Sequence, residues 1–156
     1  MVEVAVGRVE RVIEAGADRI YTAMTDPAAL VRWLPPTGMT GRFEGFDLRV
    51  GGGYRMVLRY REPGSAGKAG DGSDVVEARF VALDRGSRVV QEADFVSDDP
   101  AFAGTMTMTW QITPLGRRCR VEFRADQVPD GISAGDHAAG MSSSLQNLAD
   151  YLASLD

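Results

Sequence analysis

The sequence holds one cysteine, one histidine and one lysine among 156 residues. A single Cys excludes an internal disulfide, and with a single His it leaves too few ligands for a Cys/His zinc site. No stretch approaches the run of about 18 apolar residues that a membrane-spanning helix requires. Phosphate-binding signatures are missing as well. Gly67-Lys68 is followed by Ala69 and preceded, five residues before Gly67, by Glu62, and Gly51-Gly52-Gly53 joins two strand-like runs without opening a helix. There is no nucleophile elbow, no His-x-x-x-His pair and no Ser/His/Asp set at local spacing.

What remains is the composition of an ordinary globular chain, 44% apolar and 25% charged. The length suits one domain spanning 1–156, and a domain of that size buries roughly 68–70% of its unfolded surface without a staple. Sixteen Arg and one Lys face 22 acidic residues, for a net charge of −5. That balance argues against nucleic acid and anionic membrane as partners. Glu3 and Arg8 interrupt what would be the apolar part of a signal sequence, so the reading is a cytoplasmic protein with no membrane insertion. Nothing calls for a metal or cofactor, and monomer and homodimer both stay open.

The first run, Val4–Ile13, reads as a strand from its β-branched content, although its two parities do not separate cleanly. Ala17–Met24 has helical spacing. Asp26 then caps a short helix opened by Pro27 and stopped after Trp33 by Pro35-Pro36. Six runs of strand character follow: Gly41–Val50, Tyr54–Arg61, Val75–Leu83, Arg88–Val96, Gly104–Ile112 and Arg118–Ala125. Short Gly-, Pro- and Asp-rich connections imply an antiparallel meander. The Gly-rich stretch from Pro63 to Ser73 reads as a loop that could be removed with little loss of stability. After Ser133, which sits three before Asp136 in a variant capping box, His137, Met141, Leu145, Leu148, Leu152 and Leu155 form one stripe of a long helix.

Alternation assigns the faces of the sheet. Tyr54, Met56 and Leu58 oppose Arg55 and Arg59. Met106, Met108, Trp110, Val121 and Phe123 are expected to be buried, with Thr107, Thr109, Arg120 and Glu122 exposed. Cys119 shares the dry parity and reads as a small core residue. Two features rise above this background. The dry face is rich in Met and aromatic side chains, which suits a pliable pocket as well as it suits a solid core. His137 lies on the apolar stripe, where an imidazole is a buried hydrogen-bonding residue, a ligand anchor or a general acid/base. Gln91 shares parity with Val89, Ala93 and Phe95 and is a second polar group directed inward.

Several segments together carry a resemblance. They are Val12–Ala23-x-Thr25-Asp26-Pro27-x-x-Leu30-x-x-Trp33, Phe46-Asp47-x-Arg49-x-Gly51-Gly52-x-Tyr54, Gly104–Thr113-Pro114, and His137-x-x-Gly140-Met141-x-x-x-Leu145-x-x-Leu148. In that order the chain resembles the activator of heat-shock protein 90 ATPase homologue family, within the superfamily of START, polyketide cyclase and birch-pollen-allergen-like domains. The resemblance implies an α+β helix-grip fold: a curved antiparallel sheet of about seven strands wrapped around a long C-terminal helix, two short helices after the first strand, and a cavity between sheet and helix. Met141 stands where the family usually carries Trp, which implies a larger or more deformable cavity. The eukaryotic activator has a separate N-terminal domain that 156 residues do not accommodate, so a chaperone partner is implied by the family name only.

Three functional readings follow. The leading one is non-catalytic binding of a small apolar or aromatic molecule. Trp33 would close one end, and Tyr54, Met56, Phe80, Phe95, Met106, Met108, Trp110 and Met141 would form walls. Gln91 and His137 would supply the directional contacts. The second is a cofactor-free cyclase or dehydratase with His137 as acid/base. The third is a protein-interaction module of the co-chaperone kind, which would show a solid interior and an exposed apolar patch.

Overall fold

The computed structural model describes residues 4–5, 7–61 and 73–155. Among the described residues eight strands make one antiparallel sheet: β1 (Val4–Ala5), β2 (Arg8–Ile13), β3 (Met39–Phe46), β4 (Gly53–Tyr60), β5 (Ser73–Asp84), β6 (Arg88–Phe95), β7 (Thr105–Leu115) and β8 (Arg118–Asp126). Helices α1 (Ala17–Thr25) and α2 (Pro27–Trp33) follow β2, and α3 (Ala134–Ser154) follows β8. The spatial order is β1-β2-β8-β7-β6-β5-β4-β3. Strands β3 to β8 therefore form a meander, and β2 closes onto β8 with Val9 opposite Phe123 and Ile13 opposite Cys119. This is the helix-grip architecture. No helix among the described residues is long and apolar enough to cross a membrane.

Local chemistry sets the element ends. The Asp26 carboxylate accepts from the Ala28 N–H at 3.0 Å while Pro27 fills the first helical position. Ser133 Oγ accepts from the Asp136 N–H at 3.0 Å to open α3. Gly51, at φ +88, turns the chain between β3 and β4. Gly53 is needed for a different reason. A Cβ there would lie 1.9 Å from the Ala78 carbonyl oxygen, so only glycine lets β4 approach β5 this closely.

The strand reading needs four corrections. The first run is broken at Gly7, whose φ of +73 folds Val4–Ala5 back on Arg8–Val9 as a separate short strand. Within β2, Val9 and Ile13 enter the core and Val12 is exposed. The run expected over Gly41–Val50 is instead paired from Met39 to Phe46, because Gly45 at φ +80 forms a bulge and residues 47–52 turn. In β7 and β8 the predicted parity holds with Met106, Trp110, Val121 and Phe123 buried and Arg120 exposed, but Met108, Thr107, Thr109 and Glu122 are half-buried. Flanking strands cover the outer three, while Met108 faces an incompletely filled interior. Leu155 leaves the α3 stripe at the helix end and is exposed. The stretch 63–72 of the predicted dispensable loop lies outside the described residues.

The core is unevenly filled. Leu145, Leu148 and Leu152 of α3 are at most 2% exposed and pack with Val9, Ile20 and Val121. The first turns of α3, by contrast, are half-exposed, with His137 and Gly140 only partly covered. Beneath them the sheet carries small residues, Ala78 paired with Ala93 and Ala93 with Met106. Bulges between Glu44 and Phe46 and between Phe80 and Ala82 bend β3 and β5. The outer face is a lattice of charges, such as Arg55 between Glu44 (3.1 Å) and Glu77 (2.8 Å). Exposed pairs of this kind contribute little stability each; they keep the convex face wet and leave the concave face for other work.

Candidate functional site

Small side chains on a bent sheet, opposite a helix whose first turns stand off it, leave space. A cavity of about 600 Å³ lies between the concave face and the start of α3. Its floor is aromatic. Trp33 is 1% exposed, donates from Nε1 to the Ala23 carbonyl at 2.9 Å, and meets Trp110 edge-on at 5.3 Å. Trp110 in turn stacks on Phe123, centroids 3.6 Å apart. The walls include methionines from β4, β7 and α3, namely Met56, Met106, Met108 and Met141. Exposed residues Thr37, Tyr60, Gly131 and Asp136 mark the mouth. One side of that mouth is fastened by a backbone hydrogen bond from Gly131 N to Ala101 O at 2.7 Å, where a Cβ on Gly131 would not fit.

Polar groups in the cavity are few. Gln91 on β6 is 7% exposed, and its Nε2 donates to the Tyr54 hydroxyl of β4 at 3.0 Å, bridging across β5. Burial pushes the Tyr54 phenol up to about 12, with the Gln91 hydrogen bond opposing that rise. The phenol therefore keeps its proton throughout the physiological range. Ser144 on α3 donates to the Leu34 carbonyl at 2.8 Å and ties the helix to the end of α2. Among the described residues Asp74, 3% exposed, and Asp136 at the rim are the acidic residues of the lining, and His137 stands beside the latter. Outside the cavity, burial raises the Cys119 thiol, in keeping with an inert core residue.

Of the residues singled out from sequence, the cavity brings together Trp33, Tyr54, Met56, Gln91 and Phe95, and likewise Met106, Met108, Trp110, His137 and Met141. Phe80 is not in its wall. Its ring lies 5.8 Å from Tyr54 and 5.9 Å from Phe46, filling the core with an aromatic cluster instead. Sequence reasoning missed Asp74 and Ser144. Asp74 sits at the start of a strand beside a Gly-rich stretch and looks like a turn residue; Ser144 lies inside Ser142-Ser143-Ser144, where only its position one before Leu145 hints that it turns inward.

The profile of the family described as "Activator of Hsp90 ATPase homolog 1-like protein" matches residues 14–153. Among solved structures, a protein from Chromobacterium violaceum is 31% identical, with 92% of this chain and 93% of that one covered and a TM-score of 0.81. A protein from Rhodobacter sphaeroides is 21% identical over the whole of both chains, with a TM-score of 0.76. One from Arthrobacter aurescens is 17% identical, covering 99% of this chain and 91% of that one, with a TM-score of 0.80. No curated protein matches the chain at comparable significance.

Proposed function

The chain belongs to the activator of Hsp90 ATPase homolog 1-like family, and from that premise we propose that it is a non-catalytic binding module for a small apolar or aromatic molecule. One observation carries the reading: a cavity of about 600 Å³ walled by Met and aromatic side chains with few polar groups inside it. Small-molecule sites have roughly this size and this sparse polarity. Methionine walls suit a ligand of irregular outline, since the unbranched thioether adapts to shape at little cost. A co-chaperone role, the other use suggested by the family name, would favour a filled interior with an apolar docking face.

The test is binding of the neutral fluorescent probe N-phenyl-1-naphthylamine, together with native mass spectrometry of protein purified from its own host. The expected outcome is saturable, one-to-one probe fluorescence that Met106→Trp abolishes by filling the space. Probe binding untouched by that substitution would remove the cavity from the reading. His137→Gln separates binding from catalysis. A binding residue loses about 3- to 10-fold in affinity with one hydrogen bond, whereas an acid/base loses about 10²- to 10⁴-fold in turnover with affinity kept.

A further inference from the structure

Resting on that binding reading, we propose that the cavity takes an uncharged aromatic or alicyclic molecule bearing a hydroxyl group, which is held by the Tyr54–Gln91 pair, and that it rejects the corresponding anion. The pair is a polar anchor set among the methionine and aromatic side chains of the wall. Gln91 is 93% buried and spends Nε2 on the Tyr54 oxygen at 3.0 Å. Among the described residues neither Gln91 Oε1 nor the phenolic hydrogen meets a further partner, and both side chains line the cavity. An amide oxygen and a hydroxyl hydrogen that face the cavity without a protein partner are open to bond whatever occupies it. A ligand hydroxyl meets both: its oxygen accepts from Tyr54 and its hydrogen goes to Gln91 Oε1. Turning the amide by 180° exchanges the roles and again leaves one donor and one acceptor on offer.

The charge of the lining excludes the alternative head groups. Asp74 and Asp136 contribute acidic side chains, and among the described residues the lining includes no Arg or Lys. A carboxylate or sulfonate entering would leave water and find, among the described lining residues, no Arg or Lys to pair with. Among the described residues His137 is the one basic side chain in the lining. The neutral Tyr54–Gln91 pair asks for no charge in return.

Calorimetric titration with three ligands sharing one ring system tests this at pH 7.5: naphthalene, 2-naphthol and 2-naphthoate. The expected order is 2-naphthol tightest, with 2-naphthoate at least 10-fold weaker. Tyr54→Phe should weaken 2-naphthol about 3- to 10-fold, the equivalent of one neutral hydrogen bond, and leave naphthalene unchanged. Naphthoate binding as tightly as naphthol would overturn the proposal while leaving the binding reading intact, and so would a Tyr54→Phe effect equal for naphthol and naphthalene. Failure of all three ligands to bind the wild-type protein would overturn both. The wild-type comparison stands whether or not the variant folds.

Discussion

Replacing Tyr54 by Phe removes one oxygen and keeps the ring, so its effect on stability can be worked out as a function of pH. At neutral pH the variant strands the Gln91 amide inside the protein, and a buried group without its partner costs about 1–3 kcal/mol. In the unfolded chain the phenol titrates near its ordinary value of 10, whereas burial in the folded protein raises it to about 12. A folded-state value above the unfolded one means that this contribution to stability is whole below about pH 10. It is lost as pH climbs toward 12, because the unfolded chain releases its proton first. Two pH units correspond to about 2.7 kcal/mol. The wild-type protein should therefore lead the variant by about 1–3 kcal/mol at pH 8 and lose most or all of that lead by about pH 12. Urea unfolding followed by circular dichroism at half-unit steps from pH 8 to 12 measures it. The other tyrosines are common to both proteins and cancel in the difference. A constant gap across the range would refute the claim that Tyr54 is held protonated by burial.

Further outcomes follow from single contacts. Trp33→Ala removes a fully buried ring and its 2.9 Å bond to Ala23. It should cost about 3–5 kcal/mol, visible in calorimetry as a Tm lower by about 2–4 °C for each kcal/mol. Asp26→Ala deletes the α2 cap and should cost about 1 kcal/mol in urea unfolding. Gly140→Ala sits inside α3 with nothing within 4 Å of the added methyl, and it should raise stability by about 0.5–1 kcal/mol. Gly53→Ala should do the opposite and yield little soluble protein, since its methyl collides with the Ala78 carbonyl; near-normal expression and Tm would show that β4 and β5 can separate locally.

Which parts of this structure were readable in the sequence depends on whether periodicity or local geometry decides them. Strands β7 and β8 alternate strictly from Met106 to Ile112 and from Cys119 to Ala125, and the α3 stripe from Met141 to Leu152 repeats at helical spacing. Their inward faces follow from that alone. Bulges carry no periodic signature, so neither the bulge at Gly45 nor the early end of β3 at Phe46 is visible in the sequence. Phe80 shows the same limit from another side. Its inward parity is right, but parity cannot say whether an inward ring borders empty space or meets Phe46 and Tyr54. A cavity is a small volume left between walls, and composition fixes the walls without fixing the gap. The Tyr54–Gln91 bond illustrates this: two strands separated by β5 meet across the sheet, and only the curvature of the strands brings the groups within 3.0 Å.

Besides the short β1, the spatial neighbour of β2 is β8, which follows it about a hundred residues later in the chain. During synthesis, then, the first long strand emerges well before its partner exists, while the meander from β3 onward can zip up hairpin by hairpin as it appears. Closure of the sheet and the arrival of α3 fall together at the end, because β8 and the helix that caps the core are consecutive. Until that moment Val9, Ile13 and Ile20 have no core to enter. A nascent chain halted before β8 should expose them and be a substrate for general chaperones, since the long-range pairing that shuts the end of the sheet opposite β3 has yet to form.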